Sequence, residues 1–301
     1  MATFYGLLAI TMWGALALLG TATTEVPAFQ LLSLCFFVSA LIVVIKRLVT
    51  RQPLFRKPTL TIAQWLFGIT GLFGFHFLFF MALKSAPAIE VSLIVYLWPM
   101  LLAVFVSSKA TLFNAVIGSV IGFIGICFIL VGDSGVALNQ QYLLGYALAI
   151  CCAIIWSSYS WYLTKSNNEV EDIGWLSLAV SVLALIAHLA LEPSHWQFSY
   201  SQWFGIVLLG LGPVGGAFYL WDIGLKQGNK TLLASLSFCA PLISSIALSL
   251  AGFNAWTNNI LIALSLIMLG ALIANKSQLM AKFAKPITGN DTSPVNYRDQ
   301  S

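Results

Sequence analysis

Apolar runs of helix length, separated by short breaks of charge, Pro, Asn and Ser, cover the chain almost from end to end. A hydrocarbon core about 30 Å thick takes roughly 20 helical residues to cross. Ten runs meet that length, near 3–20, 27–45, 62–83, 86–107, 112–131, 142–164, 173–191, 202–225, 231–251 and 257–275. They are unbroken and do not alternate in segments of about ten residues, so they predict helices and not the strands of an outer-membrane barrel. The fold class expected is an all-α polytopic membrane protein with ten transmembrane helices. The first run has no basic segment ahead of it and no small-residue cleavage site, and is expected to be a retained helix.

Composition sharpens this. Of 301 residues, 59% are hydrophobic and only 8% charged, where soluble proteins carry about a quarter charged residues. A soluble catalytic domain, a disordered chain and a nucleic-acid binder are excluded, and the lipid bilayer is the implied partner. The formal charge of +4 is small and segregated. Lys46, Arg47, Arg51, Arg56, Lys57, Lys109, Lys165, Lys226, Lys230, Lys276, Lys282, Lys285 and Arg298 fall in one set of loops and the tail, and Lys84 stands alone on the other side. The excess of Lys and Arg marks cytoplasmic loops, so both termini are expected in the cytoplasm. The five cysteines all lie within predicted spans, without spacing for zinc or a disulfide framework. Residues 276–301 read as a basic, then polar, cytoplasmic tail.

The second half repeats the first. A shift of 142 residues lays Lys84 and Pro99 onto Lys226 and Pro241 and Gly74 onto Gly216, and a shift of 143 lays Trp13 onto Trp156. Residues 1–135 and 142–275 are thus expected to be two five-helix copies, and because five is odd the second enters the membrane from the opposite side. Such inverted repeats are a common architecture of secondary transporters, whose substrate site lies near the midplane where the copies meet.

AIEVSLIVYLWP (Ala88 to Pro99) and GNKTLLASLSFCAP (Gly228 to Pro241), with AITMW ending at Trp13, IWSSY (Ile155 to Tyr159) and VGDSG (Val131 to Gly135), resemble the drug/metabolite transporter superfamily, specifically its ten-helix EamA-type members. Within it the likeness is to bacterial exporters of aromatic amino acids, and it covers residues 3 to 275. The resemblance implies export of Phe, Tyr, Trp and related compounds from the cytoplasm through a central cavity between the halves, in the cytoplasmic (inner) membrane of a bacterium. The second copy departs from the first, with Phe238 and Ala240 in place of Tyr96 and Trp98, so symmetric substrate contacts are not implied.

Pro99 and Pro241 sit mid-span, each removing a backbone donor. A carbonyl freed in lipid must face protein or a wet cavity. They read as packing kinks or as bends lining the path, and their paired occurrence favours the second. Gly212, Pro213 and Gly216 interrupt the eighth span and could expose backbone to a substrate, or merely let helices approach. Trp13, Trp156 and Tyr159 in the first helices of the copies, and Tyr96 and Trp98 beside Pro99, are candidates to stack on an aromatic ring. Tyr96 is preferred over Trp98 because it shares a face with Ser92 and Pro99, and Phe238 is its counterpart. Intramembrane charges are functional suspects: Glu90 near the external end of the fourth span, with Lys84 a candidate partner, and Asp222 and Lys226, which at four apart suggest a salt bridge. His76, deep in the third span, is a candidate cavity or proton-relay residue. The chain holds no nucleophile-base-acid set, phosphate loop or metal-ligand cluster, so no enzyme, ATPase motor, metal or cofactor is expected. The expected partner is a small-molecule substrate: aromatic amino acids, or alternatively hydrophobic cations held by cation–π contacts. A monomer or weak dimer is expected, and a passive channel or membrane-embedded enzyme is the alternative of another class.

Overall fold

A computed structural model describes residues 1–131, 139–253, 255–277 and 280, so the VGDSG piece beyond Val131 and nearly all of the tail lie outside the described residues. The elements are α1 (Ala2–Gly14), α2 (Leu16–Gly20), α3 (Ala28–Val49), α4 (Ile62–Ile69), α5 (Phe75–Ser85), α6 (Ala88–Val95), α7 (Trp98–Val106), α8 (Leu112–Leu130), α9 (Leu143–Leu163), α10 (Asp172–Leu191), α11 (Tyr200–Leu211), α12 (Gly216–Gln227), α13 (Lys230–Leu236), α14 (Cys239–Leu250) and α15 (Asn258–Ala274). Among the described residues there are no strands. Seven continuous apolar rods are long enough to cross a bilayer, and two bent pairs bring the number to as many as nine: α1 with α2 at 42° and α13 with α14 at 41°. The last predicted run is the 17-residue helix α15.

Helices α4 and α11 start alike. Thr61 and Ser199 each accept from the backbone N–H three residues on, while Gln64 and Gln202 reach back to the cap, a reciprocal pair of bonds that satisfies two orphan donors. Both helices are then interrupted. A π-helical turn at Thr70–Gly74 joins α4 to α5, and the segment 212–215 separates α11 from α12. Both fourth helices break one turn ahead of their proline, at Tyr96 and at Ser237.

Helices α3 and α10 pack antiparallel. Arg47 pairs with Glu171 at one end; the Ser39 and Ser177 hydroxyls lie 2.9 Å apart farther along. Ser33 Oγ donates to Ser181 O at 2.9 Å and Ser181 Oγ returns the bond to Ser33 O at 2.8 Å, and at the other end Glu192 accepts from Phe29 N at 3.1 Å. Interhelical bonds of this kind contribute about 0.6 kcal/mol each in lipid. Helices α8 and α15 also run antiparallel, with Gly118 against Gly270 and Gly125 against Ala263. Helix α1 packs on α12 through Gly6 and Gly224, and α9 packs on α5 and the preceding π turn, Tyr159 lying over Gly71.

The basic loops meet at one end of this bundle, hereafter the basic end. Asn229 N donates to Thr3 Oγ1 at 3.0 Å, Lys230 Nζ to Thr164 O at 3.0 Å, and Lys46 Nζ to Glu171 at 2.7 Å, while Arg47 and Arg56 pair with Glu171 and Glu169. Hydrogen bonds from Lys46 and Arg47 hold the Glu171 carboxyl below its ordinary value, and the bond from Arg56 does the same for the more exposed Glu169. A depressed carboxylate contributes stability that is fully present above the unfolded value of about 4.3 and lost as pH falls through the folded value. Thermal stability in detergent is therefore expected to fall below about pH 4.3, and Glu171→Gln to lower the melting temperature at neutral pH while flattening that acid limb.

Candidate functional site

At each interruption, 70–74 and 212–215, a side chain bonds a backbone carbonyl at mid-bundle. At the second, Ala217 N–H bonds back to Gly212 O and leaves the Pro213 carbonyl outside the helical ladder. Trp13 Nε1 donates to it at 3.1 Å across the two halves. A side chain cannot be added at Gly215, where a Cβ would lie 1.8 Å from Gly210 O, so the tight passage requires glycine. At the first, His76 Nδ1 lies 2.6 Å from Leu72 O. Since a carbonyl only accepts, Nδ1 is the donor, and Nε2 accepts whenever the ring is neutral.

These interruptions flank a cavity of about 320 Å³, within the range of roughly 300–1,000 Å³ usual for small-molecule sites. Trp13, Trp98, Trp156, Phe75, Phe79, Phe80 and Phe218 supply its aromatic wall, and His76, Ser92 and Tyr96 supply side-chain polar atoms. Among the described residues, none lining it is Asp, Glu, Lys or Arg. It reaches Gly20, Ala28 and Leu31, away from the basic end. Toward the basic end it is closed by packed rings. Trp13 stands edge-on to Trp156 at 5.6 Å, Trp221 at 5.1 Å and Trp98 at 6.2 Å between centroids, and Trp98 meets Trp156 at 6.1 Å. Edge-to-face pairs are each worth about 0.5–1.5 kcal/mol beyond area burial, so the partition is cohesive.

Seven of the sequence-derived candidates share the wall: Trp13, His76, Ser92, Tyr96, Trp98, Trp156 and Pro213. The break after α6 turns Trp98 onto the same side as Tyr96, which an unbroken helix would not allow for residues two apart. The others lie off it. Pro99 and Pro241 are buried at the starts of α7 and α14, Gly212 and Gly216 bound the interruption behind Pro213, and Tyr159 is buried against Gly71 on the basic side of the partition. Phe238 is buried in a separate cluster with Ile126, Leu242 and Ile267 and packs on Gly122. Asp222 and Lys226 form the expected pair, with Nζ 2.9 Å from Oδ2. The pairing of Lys84 with Glu90 is not formed. Glu90 is buried and accepts instead from the Tyr146 hydroxyl, which itself accepts from Asn139 N at 3.2 Å, while Lys84 is exposed, with Nζ 5.9 Å from the centre of the Phe29 ring. The reason is that Pro87 starts a new helix between the two residues and sends them to different neighbours.

Sequence reasoning missed Phe75, Phe79, Phe80, Phe218 and Trp221. Phe75 and Phe79 sit four apart, and their rings stack at 6.0 Å, a spacing that the run FHFLFF already displays. Phe218 takes the place of His76 under the 142-residue shift.

The family model described as EamA-like transporter family matches the chain over two stretches, residues 1–131 and 143–276. A protein named aromatic amino acid exporter YddG, from Ancylobacter novellus, is 38% identical over 280 residues, covering 91% of this chain and 96% of that one. Its namesake in Salmonella typhimurium is 27% identical over 193 residues, 58% of this chain and 64% of its own. A solved crystal structure 36% identical in sequence superposes with a TM-score of 0.84 over 95% of this chain and 99% of that one.

Proposed function

We propose, from the premise that this chain belongs to the EamA-like transporter family, that it exports aromatic amino acids from the cytoplasm by alternating access. The family is one of transporters and not of enzymes, and the chain is a multi-pass membrane protein. The observation that carries the substrate class is the aromatic cavity between the halves, free of charged side chains and shut at the basic end by Trp13, Trp98, Trp156 and Trp221. The name of the Ancylobacter novellus relative points the same way. The ring of the substrate stacks among the tryptophans, and its ammonium and carboxylate ends meet His76 Nε2, the Ser92 and Tyr96 hydroxyls and water. In this reading α15 is a tenth crossing, the halves form an inverted pair, the basic end faces the cytoplasm of a bacterium and the cavity opens outward.

Efflux of hydrophobic cations is the competing substrate class. It is disfavoured because Glu90, the carboxylate that would serve as counter-charge, is tied to Tyr146 off the wall. Counterflow of labelled tryptophan into proteoliposomes separates the two. Saturable uptake inhibited by phenylalanine and tyrosine, and not by a quaternary ammonium dye, is expected. Inhibition by the dye alone would reverse the assignment, and flux strictly proportional to concentration would mean a pore.

A further inference from the structure

A second, collapsed chamber lies on the basic side of the tryptophan partition. A void of about 10 Å³ is walled by Tyr159, Leu163, Gln64, Ser166, Asn168 and Asp222, among others. Three of these walls correspond in sequence to walls of the open cavity. The shift of 143 that superposes Trp13 on Trp156 carries Leu16 and Gly20 onto Tyr159 and Leu163, and the shift of 142 that superposes Lys84 on Lys226 carries Phe80 onto Asp222. Leu16, Gly20 and Phe80 all line the open cavity. Trp13 and Trp156 meet between the two spaces at 5.6 Å.

The chambers differ in chemistry where they agree in place. Tyr159 stands for Leu16 and Asp222 for Phe80, and Gln64, Ser166 and Asn168 add further polar groups. Asp222 is completely buried. Lys226 Nζ lies 2.9 Å from its Oδ2 but off the hydrogen-bonding direction, so neither carboxylate oxygen accepts a hydrogen bond among the described residues. Lys226 Nζ spends its donors elsewhere, on Asn168 O at 2.7 Å and Asn168 Oδ1 at 3.1 Å, and so holds the loop after α9 over the void. Asp222 is thus a buried carboxylate with a cation beside it but no well-directed donor on either oxygen; a buried ion pair gains from added hydrogen bonds to its remaining lone pairs, and a ligand ammonium would supply them.

We infer that Asp222 and Lys226 form the head-group site of an inward-facing chamber: Asp222 takes the ammonium of an α-amino acid, and Lys226, released from Asn168, takes its carboxylate. This rests on the proposed function for the substrate class. The amino acid is held by two charges when it enters from the basic end, and by none in the opposite cavity, where release follows. The asymmetry sets half-saturation on each face and does not by itself drive net flux, because each ligand's total free-energy change across the membrane is fixed by its concentrations.

The test compares tryptophan, tryptamine, which lacks the carboxylate, and indole-3-propionate, which lacks the amine, from each face of oriented proteoliposomes. Wild type is expected to prefer tryptophan over indole-3-propionate on the basic face. Asp222→Asn should raise the basic-face half-saturation for tryptophan by about tenfold or more, the worth of one charge-assisted hydrogen bond. It should leave that for indole-3-propionate unchanged, and Asp222→Glu should restore most of the preference. Lys226→Met should do the same to the margin of tryptophan over tryptamine. Equal shifts on both faces, or unchanged preferences in variants that fold, overturn the inference. Labelling of Leu163→Cys by a membrane-impermeant maleimide needs no substrate. Reaction from the basic face above that of the parent protein is expected, and its absence removes the chamber. A protein that labels there but transports no aromatic amino acid keeps the chamber and loses the proposed function.

Discussion

Gly118→Leu is expected to leave little folded protein. A Cβ at Gly118 would lie 2.3 Å from Gly270 O, 2.7 Å from Ala274 N and 2.8 Å from Ala274 Cβ. Two of these three atoms are backbone, so no rotamer change makes room. The approach is mutual, since a Cβ at Gly270 would lie 2.4 Å from Gly118 O. Lipid tails are as apolar as the helix surfaces, so close packing and not water exclusion holds α8 against α15. Forcing them apart forfeits contacts along both helices, a cost expected at or above about 3 kcal/mol, the upper part of the range for overpacking. Size-exclusion profiles and melting temperatures in detergent check this. Gly20→Ala is the stability control, because nothing lies within 4 Å of the added methyl. A monodisperse Gly118→Leu variant with the parent melting temperature would show that the two helices can separate at no cost.

How much of this was legible in the sequence follows from the range of the interactions. The helical runs were readable because crossing a bilayer is a local demand on length and polarity, met residue by residue. The breaks ahead of Pro99 and Pro241 and at Gly212–Pro213 were readable because proline and glycine act on their own backbone. The break between α1 and α2 at Ala15 was not, for no proline follows within the next turn. The aromatic character of the cavity was legible in Trp13, Tyr96, Trp98 and Trp156, but rotation of each helix about its axis is a tertiary matter. That is why Trp221 and Phe218 went unseen and Phe238 turned out to be packing. The Glu90 partner lay 56 residues away in Tyr146, beyond any local spacing rule, whereas Asp222 and Lys226 were found because four residues is one helical turn.

Trp13→Ala is expected to reduce tryptophan transport by at least tenfold while most of the protein still folds. Its indole lines the outer cavity, packs edge-on against Trp98, Trp156 and Trp221 in the partition, and donates to the Pro213 carbonyl. Truncating a fully buried Trp costs about 3–5 kcal/mol; Trp13 is half-buried, so a lower figure, about 2–3 kcal/mol, is expected on that scale. The functional loss is larger because two effects add. The substrate ring loses a stacking partner, and the wall between the chambers thins to Trp98, Trp156 and Trp221, so the outer cavity reaches farther toward the basic-end void. Trp13→Phe separates them. It keeps a ring in the partition but drops the N–H, leaving the Pro213 carbonyl to cavity water at a cost near 1 kcal/mol, and should retain transport within a few-fold of the parent. Counterflow and thermal unfolding on the same preparations distinguish a lost site from a lost fold. Full-rate transport by a folded Trp13→Ala variant would place the substrate path elsewhere in the bundle, and a rise in non-saturable tryptophan flux in that variant alone would show that the indole is the physical barrier between the two faces.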